Sequence, residues 1–136
     1  LMGAWLSDQG LTPQKVLCSS SRRTRETWAR VRLALAEAPE ADVEPGLYHA
    51  DPPHLLAAVR ALPPAVACAA LVGHQPGIGA FTRLLASRDA PRNCARAYTK
   101  FPTAACAVLD FDVDDWGDVA FDTGCFTIFA VPRELV

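Results

Sequence analysis

The spacing of apolar residues changes repeatedly along this chain, and each change predicts an element. Residues 1 to 8 pair Leu1 with Trp5 and Met2 with Leu6 at helical spacing, and Gly10 is placed to stop that helix. Val16-Leu17-Cys18 is a short apolar run of strand type. It ends in Ser19-Ser20-Ser21, which are good cap residues, and Arg22 to Ala38 follows with Trp28, Val31 and Leu35 on one helical face. Asp42 to Tyr48 predicts a second short strand, and Pro52-Pro53 leads a compact helix carrying Leu55, Leu56, Val59 and Leu62, closed by Pro63-Pro64. Ala69-Ala70-Leu71-Val72 predicts a buried parallel strand. Gly73 and His74 follow it, and a helix from Ile78 to Ala86 then turns Ile78, Phe81, Leu84 and Leu85 inward. Ser87 to Lys100 is polar and predicts a long surface loop with Arg88, Arg92, Arg96 and Lys100. Thr103 to Val113 and Val119 to Val131 predict a hairpin around Asp114-Asp115-Trp116-Gly117-Asp118. In its first strand Leu109, Phe111 and Val113 alternate with Asp110, Asp112 and Asp114, which makes one face wet.

Three βα units followed by a hairpin place the chain in the α/β class, and neither an internal repeat nor a linker divides residues 1–136, so one domain is expected. The first residues begin in the middle of a helical pattern without an N-cap, so the domain is expected to be N-terminally incomplete. At 51% hydrophobic and 21% charged, the 136 residues suffice for a real core. The net charge of -2 gives no support for generalised binding to nucleic acid or a membrane surface, and points instead to a small ligand or a protein surface. Cys18, Cys68, Cys94, Cys106 and Cys125 are odd in number and widely spaced, which indicates no disulfide framework, and three of them lie in apolar strand-like runs, which suggests buried thiols in a reducing cytoplasm. No apolar run is long enough to span a bilayer as a helix.

Candidate chemistry gathers at two strand ends. Arg23 and His74 each lie just beyond the C-terminal end of a predicted parallel strand, so the fold would bring them to one edge of the sheet, where open α/β sheets bind ligands. Arg22, Arg23 and Arg25 open a helix although the macrodipole disfavours cations there, and an anion bound at that end would reverse the sign of the effect. An arginine offers a bidentate fork to phosphate oxygens and a histidine can donate to the same group. The alternatives are a surface arginine and a histidine bonded to a loop.

Competing motifs fail on register. Cysteine phosphatases need their arginine farther from the nucleophile than Arg22 and Arg23 stand from Cys18. Gly73-His74-Gln75-Pro76-Gly77 has the glycine spacing of a nucleophile elbow, but Gln75 cannot attack. Asp110-x-Asp112-x-Asp114 imitates half of a calcium loop, yet Asp115 replaces the turn glycine and Phe121 the bidentate glutamate. His49 and His54 have neither the spacing nor the companions of a metal site. No metal and no cofactor is expected.

Through Val16-Leu17-Cys18-Ser19-Ser20-Ser21-Arg22-Arg23-Thr24-Arg25-Glu26-Thr27 and Val72-Gly73-His74-Gln75-Pro76, the chain resembles the histidine phosphatase (phosphoglycerate mutase-like) superfamily. The order of motifs, the length and Lys100-Phe101-Pro102-Thr103-Ala104-Ala105 resemble its small SixA-like branch of phosphohistidine phosphatases. The resemblance implies a three-layer α/β/α sandwich with a mostly parallel sheet and a C-terminal hairpin. It also implies a phosphate pocket in which Arg23 matches the second arginine and His74 the second histidine, with Ser19 and Thr27 shaping the turn and its helix. The family's Arg-His-Gly or Arg-His-Ala motif, with the first arginine and the nucleophilic histidine, is absent from these residues. By analogy it would lie upstream of Leu1, on a piece on the order of 30 residues that includes the first strand.

The implied activity is metal-independent hydrolysis through a covalent phosphohistidine, with His74 and Arg23 stabilising charge on the equatorial oxygens. Asp51 and His49 are the nearby candidates for a proton donor to the leaving group. Without one, phosphoramidates are favoured, which points to a histidine-phosphorylated protein as the partner. A small phosphate-bearing substrate is the weaker reading. The rival from another class is a non-catalytic module that binds phosphate or a phosphoprotein. Neither nucleic acid nor a membrane is an expected partner, and the expected location is the cytoplasm.

Overall fold

A computed structural model of the chain describes residues 2–35, 37–48 and 50–135. Helix α1, Met2–Asp8, ends at Gly10, whose φ of 69° lies in the left-handed region that glycine enters without strain. Strand β1, Lys15–Ser19, is buried along nearly its whole length, as expected of a central parallel strand covered on both faces. It pairs in parallel with β2, Asp42–Glu44, on one side and with β3, Ala69–Val72, on the other, in the order β2-β1-β3. Helices α2 (Arg22–Leu33), α3 (Pro52–Arg60) and α4 (Gly77–Leu85) follow the three strands in turn. Strands β4, Cys106–Asp110, and β5, Cys125–Ala130, form a separate antiparallel pair with an irregularity between Val108 and Leu109. The chain is thus an α/β fold with a parallel sheet and a C-terminal hairpin.

Three apolar clusters hold these elements. Leu17, Leu55, Leu56, Phe81, Leu85 and Val119 pack one face of the parallel sheet against α3, α4 and the 111–121 connection. Val16, Trp28 and Leu35 pack the other face against α2. Phe126 and Phe129 anchor the third cluster, in which their rings meet edge to face at 6.4 Å beside Cys94 and Ala97.

Several sequence expectations need correction. Helix α2 ends at Leu33 and not at Ala38, because the chain reverses through Glu37 at φ 59° and returns to its own helix. There Trp28 Nε1 donates to the Pro39 carbonyl at 3.1 Å and Arg32 Nε to the Ala38 carbonyl at 3.0 Å. Leu35 stays buried in that reversal, which is why the helical spacing ran on too far. The expected strand to Tyr48 stops at Glu44, since Pro45 lacks an N–H for the ladder and starts a 3₁₀ turn, Pro45–Leu47. Strand β3 is half-buried because it pairs on only one side among the described residues. Leu84 points outward at 46% exposure, and the fourth inward position of α4 belongs to Thr82.

The 87–100 segment is not a bare loop. It forms a short helix α5, Arg92–Ala95, and a 3₁₀ turn, Arg96–Tyr98, and buries Cys94 and Ala97. Arg96 fastens it to the C-terminus through a two-pronged bond to Glu134 at 2.7 and 2.9 Å and a third bond to the Phe129 carbonyl at 3.0 Å. The hairpin strands are shorter than expected, but the alternation persists past β4: Phe111 and Val113 pack inward while Asp112 and Asp114 face water. All five cysteines are free thiols, and Cys125 is exposed. Among the described residues no helix is long and apolar enough to cross a membrane.

Phe126→Ala removes a 2% exposed ring from the third cluster and should cost about 3–5 kcal/mol in urea unfolding, whereas Leu33→Ser, at a position 88% exposed, should stay within about 0.5 kcal/mol. Arg96 holds the Glu134 carboxyl below its ordinary value of 4.5. The stabilisation from that pair is therefore complete above the ordinary value and is lost as pH falls through the lowered one. Glu134→Gln should melt below the parent at pH 7 and converge with it in strong acid.

Candidate functional site

Parallel pairing builds the site. Cys18 stands beside Val72 in the β1–β3 register, so the next residues, Ser19 and Gly73, emerge together at the carboxyl edge of the sheet. Ser21 caps α2, its side chain accepting from the Thr24 N–H at 3.2 Å, and the turn is closed by a web of hydroxyls. Thr24 Oγ1 lies 2.9 Å from both Ser19 Oγ and Ser21 Oγ, and 3.0 Å from the Ser19 and Ser21 carbonyls. Ser19 is fully buried, and its Oγ is 2.7 Å from His74 Nε2. That bond ties the end of β3 to the turn before α2.

The turn carrying His74 is tightly enclosed. A Cβ on Gly73 would come within 2.8 Å of the Ile78 side chain, and one on Gly77 within 2.8 Å of the Ala50 carbonyl, so the start of α4 closes down only on glycine. Gln75 uses both ends of its amide. Its Oε1 accepts from the Gly79 N–H at 3.0 Å, capping α4, and its Nε2 donates to the Phe101 carbonyl at 3.1 Å, which draws the 87–101 segment alongside the turn. Tyr48, just past the 3₁₀ turn after β2, meets the His74 ring edge-on with centroids 5.0 Å apart. A cleft of about 290 Å³ opens beside His74, lined also by Leu47, Asp51, Leu55, Pro76 and Ile78.

The three arginines at the start of α2 differ in their bonding. Arg22 pairs with Glu26 at 2.8 Å on the exposed helix face, and Arg25 Nε lies 3.4 Å from the Ser21 carbonyl. Arg23 is exposed, and its guanidinium makes no hydrogen bond or ion pair among the described residues. It sits in the helix turn whose N–H groups face the sheet edge, one residue from Thr24 and its link through Ser19 to His74.

Asp51 caps α3 and lines the cleft with His74. Its Oδ1 accepts from His54 Nδ1 at 2.6 Å and from the His54 N–H at 3.2 Å, and these bonds hold its carboxyl below the usual value, in the charged form. His49, the other proposed proton donor, lies outside the described residues. Burial pushes the Cys18 thiol up, so beside the arginines this cysteine is an inert protonated group. Among the described residues, no group of three or more His, Cys, Asp or Glu side chains is placed to hold a metal ion.

Two residues of this site carry no catalytic signature in sequence. Tyr48 follows a strand at the same sheet edge as His74, a positional signal that could have marked it. Ser19 appears in the motif only as a turn residue, and its contact with His74 depends wholly on the pairing of β1 with β3.

No protein-family model matches the chain. An uncharacterised protein of Mycobacterium leprae is 34% identical over 134 residues, covering 98% of this chain and 80% of that protein. An uncharacterised protein of Mycobacterium tuberculosis is 33% identical over 137 residues, covering 98% and 82%. Among solved structures, a candidate phosphohistidine phosphatase SixA of Nakamurella multipartitia superposes with a TM-score of 0.82 at 26% identity over 96% of this chain and 77% of that one. The protein histidine phosphatase SixA complexed with tungstate gives 0.78 at 26% identity over 99% and 79%. With the strand order, the Ser19 to Thr27 turn and His74 at the end of β3, these likenesses show that the chain belongs to the SixA-like branch of the histidine phosphatase superfamily.

Proposed function

We propose that this protein removes the phosphoryl group of phosphohistidine from a partner protein, through a covalent phosphohistidine of its own. The observation that carries the reading is His74, held by Ser19 and Tyr48 at the sheet edge where α2 presents its N-terminus and Arg23. In this reading a fixed imidazole, a guanidinium fork and a positive helix end serve one anion. The likeness to a SixA complexed with tungstate, a tetrahedral oxyanion shaped like phosphate, supports it.

In this mechanism a histidine from outside residues 1–136, as the family resemblance implies, attacks phosphorus in line. Its N–P bond forms as the bond from phosphorus to the substrate imidazole breaks. The departing imidazole takes its proton from water, and a second water then attacks phosphorus, releasing phosphate and the free nucleophile. His74 and Arg23 stabilise the equatorial oxygens in both steps. Neither Cys18, whose thiol is buried and protonated, nor Asp51, whose carboxyl is held charged, supplies a competing nucleophile or acid. Asp51, the one candidate proton donor among the described residues, is held charged, and such a site suits a P–N bond better than a phosphate ester, whose alkoxide leaves poorly unprotonated. This favours phosphohistidine over small phosphate esters.

In the full-length protein, His74→Ala should lower turnover of a histidine-phosphorylated domain by roughly 10² or more, and unchanged turnover would remove His74 from the reaction. Arg23→Lys should weaken tungstate binding by roughly tenfold, measured by calorimetry, because a point charge replaces the fork. Equal affinity would make Arg23 an ordinary surface cation. Asp51→Asn should leave turnover of phosphohistidine unchanged, and a large loss would make Asp51 part of the chemistry.

A further inference from the structure

Leu33, Val43, Tyr48 and Leu84 are large apolar side chains left at the surface. Exposure of single residues is ordinary, but Tyr48 is set apart by its place, because its ring rests against the ring of His74. The sheet runs in the order β2-β1-β3, so a residue that follows β2 reaches one that follows β3 only across the carboxyl end of β1. The 3₁₀ turn Pro45–Leu47 packs against β1, and the Tyr48 N–H closes it by donating to the Pro45 carbonyl at 3.1 Å. Tyr48 then meets His74 with centroids 5.0 Å apart and planes at 62°. This brings the ring over the end of β1, beside the turn that starts α2, where Ser19 Oγ is 2.7 Å from His74 Nε2. The backbone around Tyr48 is anchored. Leu47 before it is buried, and two residues on, the Ala50 N–H donates to the Leu47 carbonyl at 3.2 Å. The Ala50 carbonyl sits so near Gly77 that a Cβ there would come within 2.8 Å. Between these anchors Tyr48 is 47% exposed, a fixed ring with about half of the residue open to solvent.

We infer that Tyr48 is a specificity-determining residue, whose exposed ring seats the imidazole that leaves phosphorus and so selects a flat aromatic leaving group. The inference rests on the proposed phosphatase reading, in which the phosphoryl group binds between His74, Arg23 and the head of α2. The group carried by phosphorus must then point away from the buried Ser19 and Thr24 and towards solvent, and Tyr48 supplies an aromatic ring at that margin. An imidazole packed offset or edge-on against the phenol ring gains apolar contact and an aromatic pair, which an ammonia or alkylamine leaving group cannot match. The contact moves no proton and adds no step: the leaving imidazole still takes its proton from water.

The test compares two P–N substrates in the full-length protein, phosphoimidazole and phosphoramidate, which carry the same phosphoryl group and release a ring or ammonia. Tyr48→Ala should lower kcat/KM for phosphoimidazole by about tenfold, the order expected of one aromatic contact, and leave phosphoramidate within about twofold of the parent. Tyr48→Phe should keep the parent's ratio between the two, since the ring makes the contact. An equal fall for both substrates in Tyr48→Ala would overturn the inference and leave Tyr48 a mere buttress of His74. A second measurement needs no variant to fold. Imidazole titrated into the tungstate-loaded parent should shift the Tyr48 ring protons in the NMR spectrum, and no shift would overturn the seat. A parent that shows that shift but hydrolyses neither compound would support the seat and overturn the phosphatase reading. Hydrolysis of both compounds with an unchanged ratio in Tyr48→Ala would overturn the seat alone, and a parent that neither hydrolyses them nor binds tungstate would overturn both.

Discussion

The parallel pairing of β1 with β3 is the constraint on which the rest of the site depends. Because Cys18 stands beside Val72, the chain leaves the sheet at two adjacent points, and a serine from one can reach a histidine from the other. A slip of one residue in this register would turn Ser19 to the opposite face of its strand and break the bond. Burial of β1 on both faces makes such a slip expensive, since Val16, Leu17 and Cys18 are all committed to packing. The core therefore sets the geometry of the site as well as the stability of the fold.

Around that pairing the structure closes in steps. Glycines at 73 and 77 let α4 approach the turn after Tyr48, Gln75 joins the head of α4 to Phe101, and Arg96 fixes the intervening segment to Glu134. All but the close approach of Gly73 to Ile78 join segments far apart in sequence, and together they leave His74 enclosed on the side of Ser19 and open on the side of the cleft. In the proposed reaction such enclosure suits the role of His74, because a ring already held in place costs little reorganisation when charge develops. Asp51 lies on the same cleft, but its bond to His54 keeps it charged, so proximity to His74 alone does not give it an acid's role.

Misreadings along the chain share one cause. Periodicity reports which side chains are buried and not which backbone conformation buries them. Leu35 is buried beyond the end of α2, and Phe111 and Val113 alternate inward beyond the end of β4, so both elements looked longer than they are. Polarity misled in the opposite sense over residues 87–100, where arginines on the outside hid the two small buried residues, Cys94 and Ala97, that pin the segment to the hairpin.

The sequence by itself determined the order of three βα units and a hairpin, the serine cap before an arginine-rich helix start, and the presence of a histidine at a strand end, because propensity, capping and apolar spacing are local properties. The motif resemblance settled on the same branch that the solved structures then showed. Only the tertiary structure decided what His74 touches. Its hydroxyl partner Ser19 and its edge-on contact with Tyr48 arise across the β1–β3 pairing and the turn after β2. No local pattern encodes them, because hydrogen bonds between strand ends depend on register, and register is fixed by how the whole core packs.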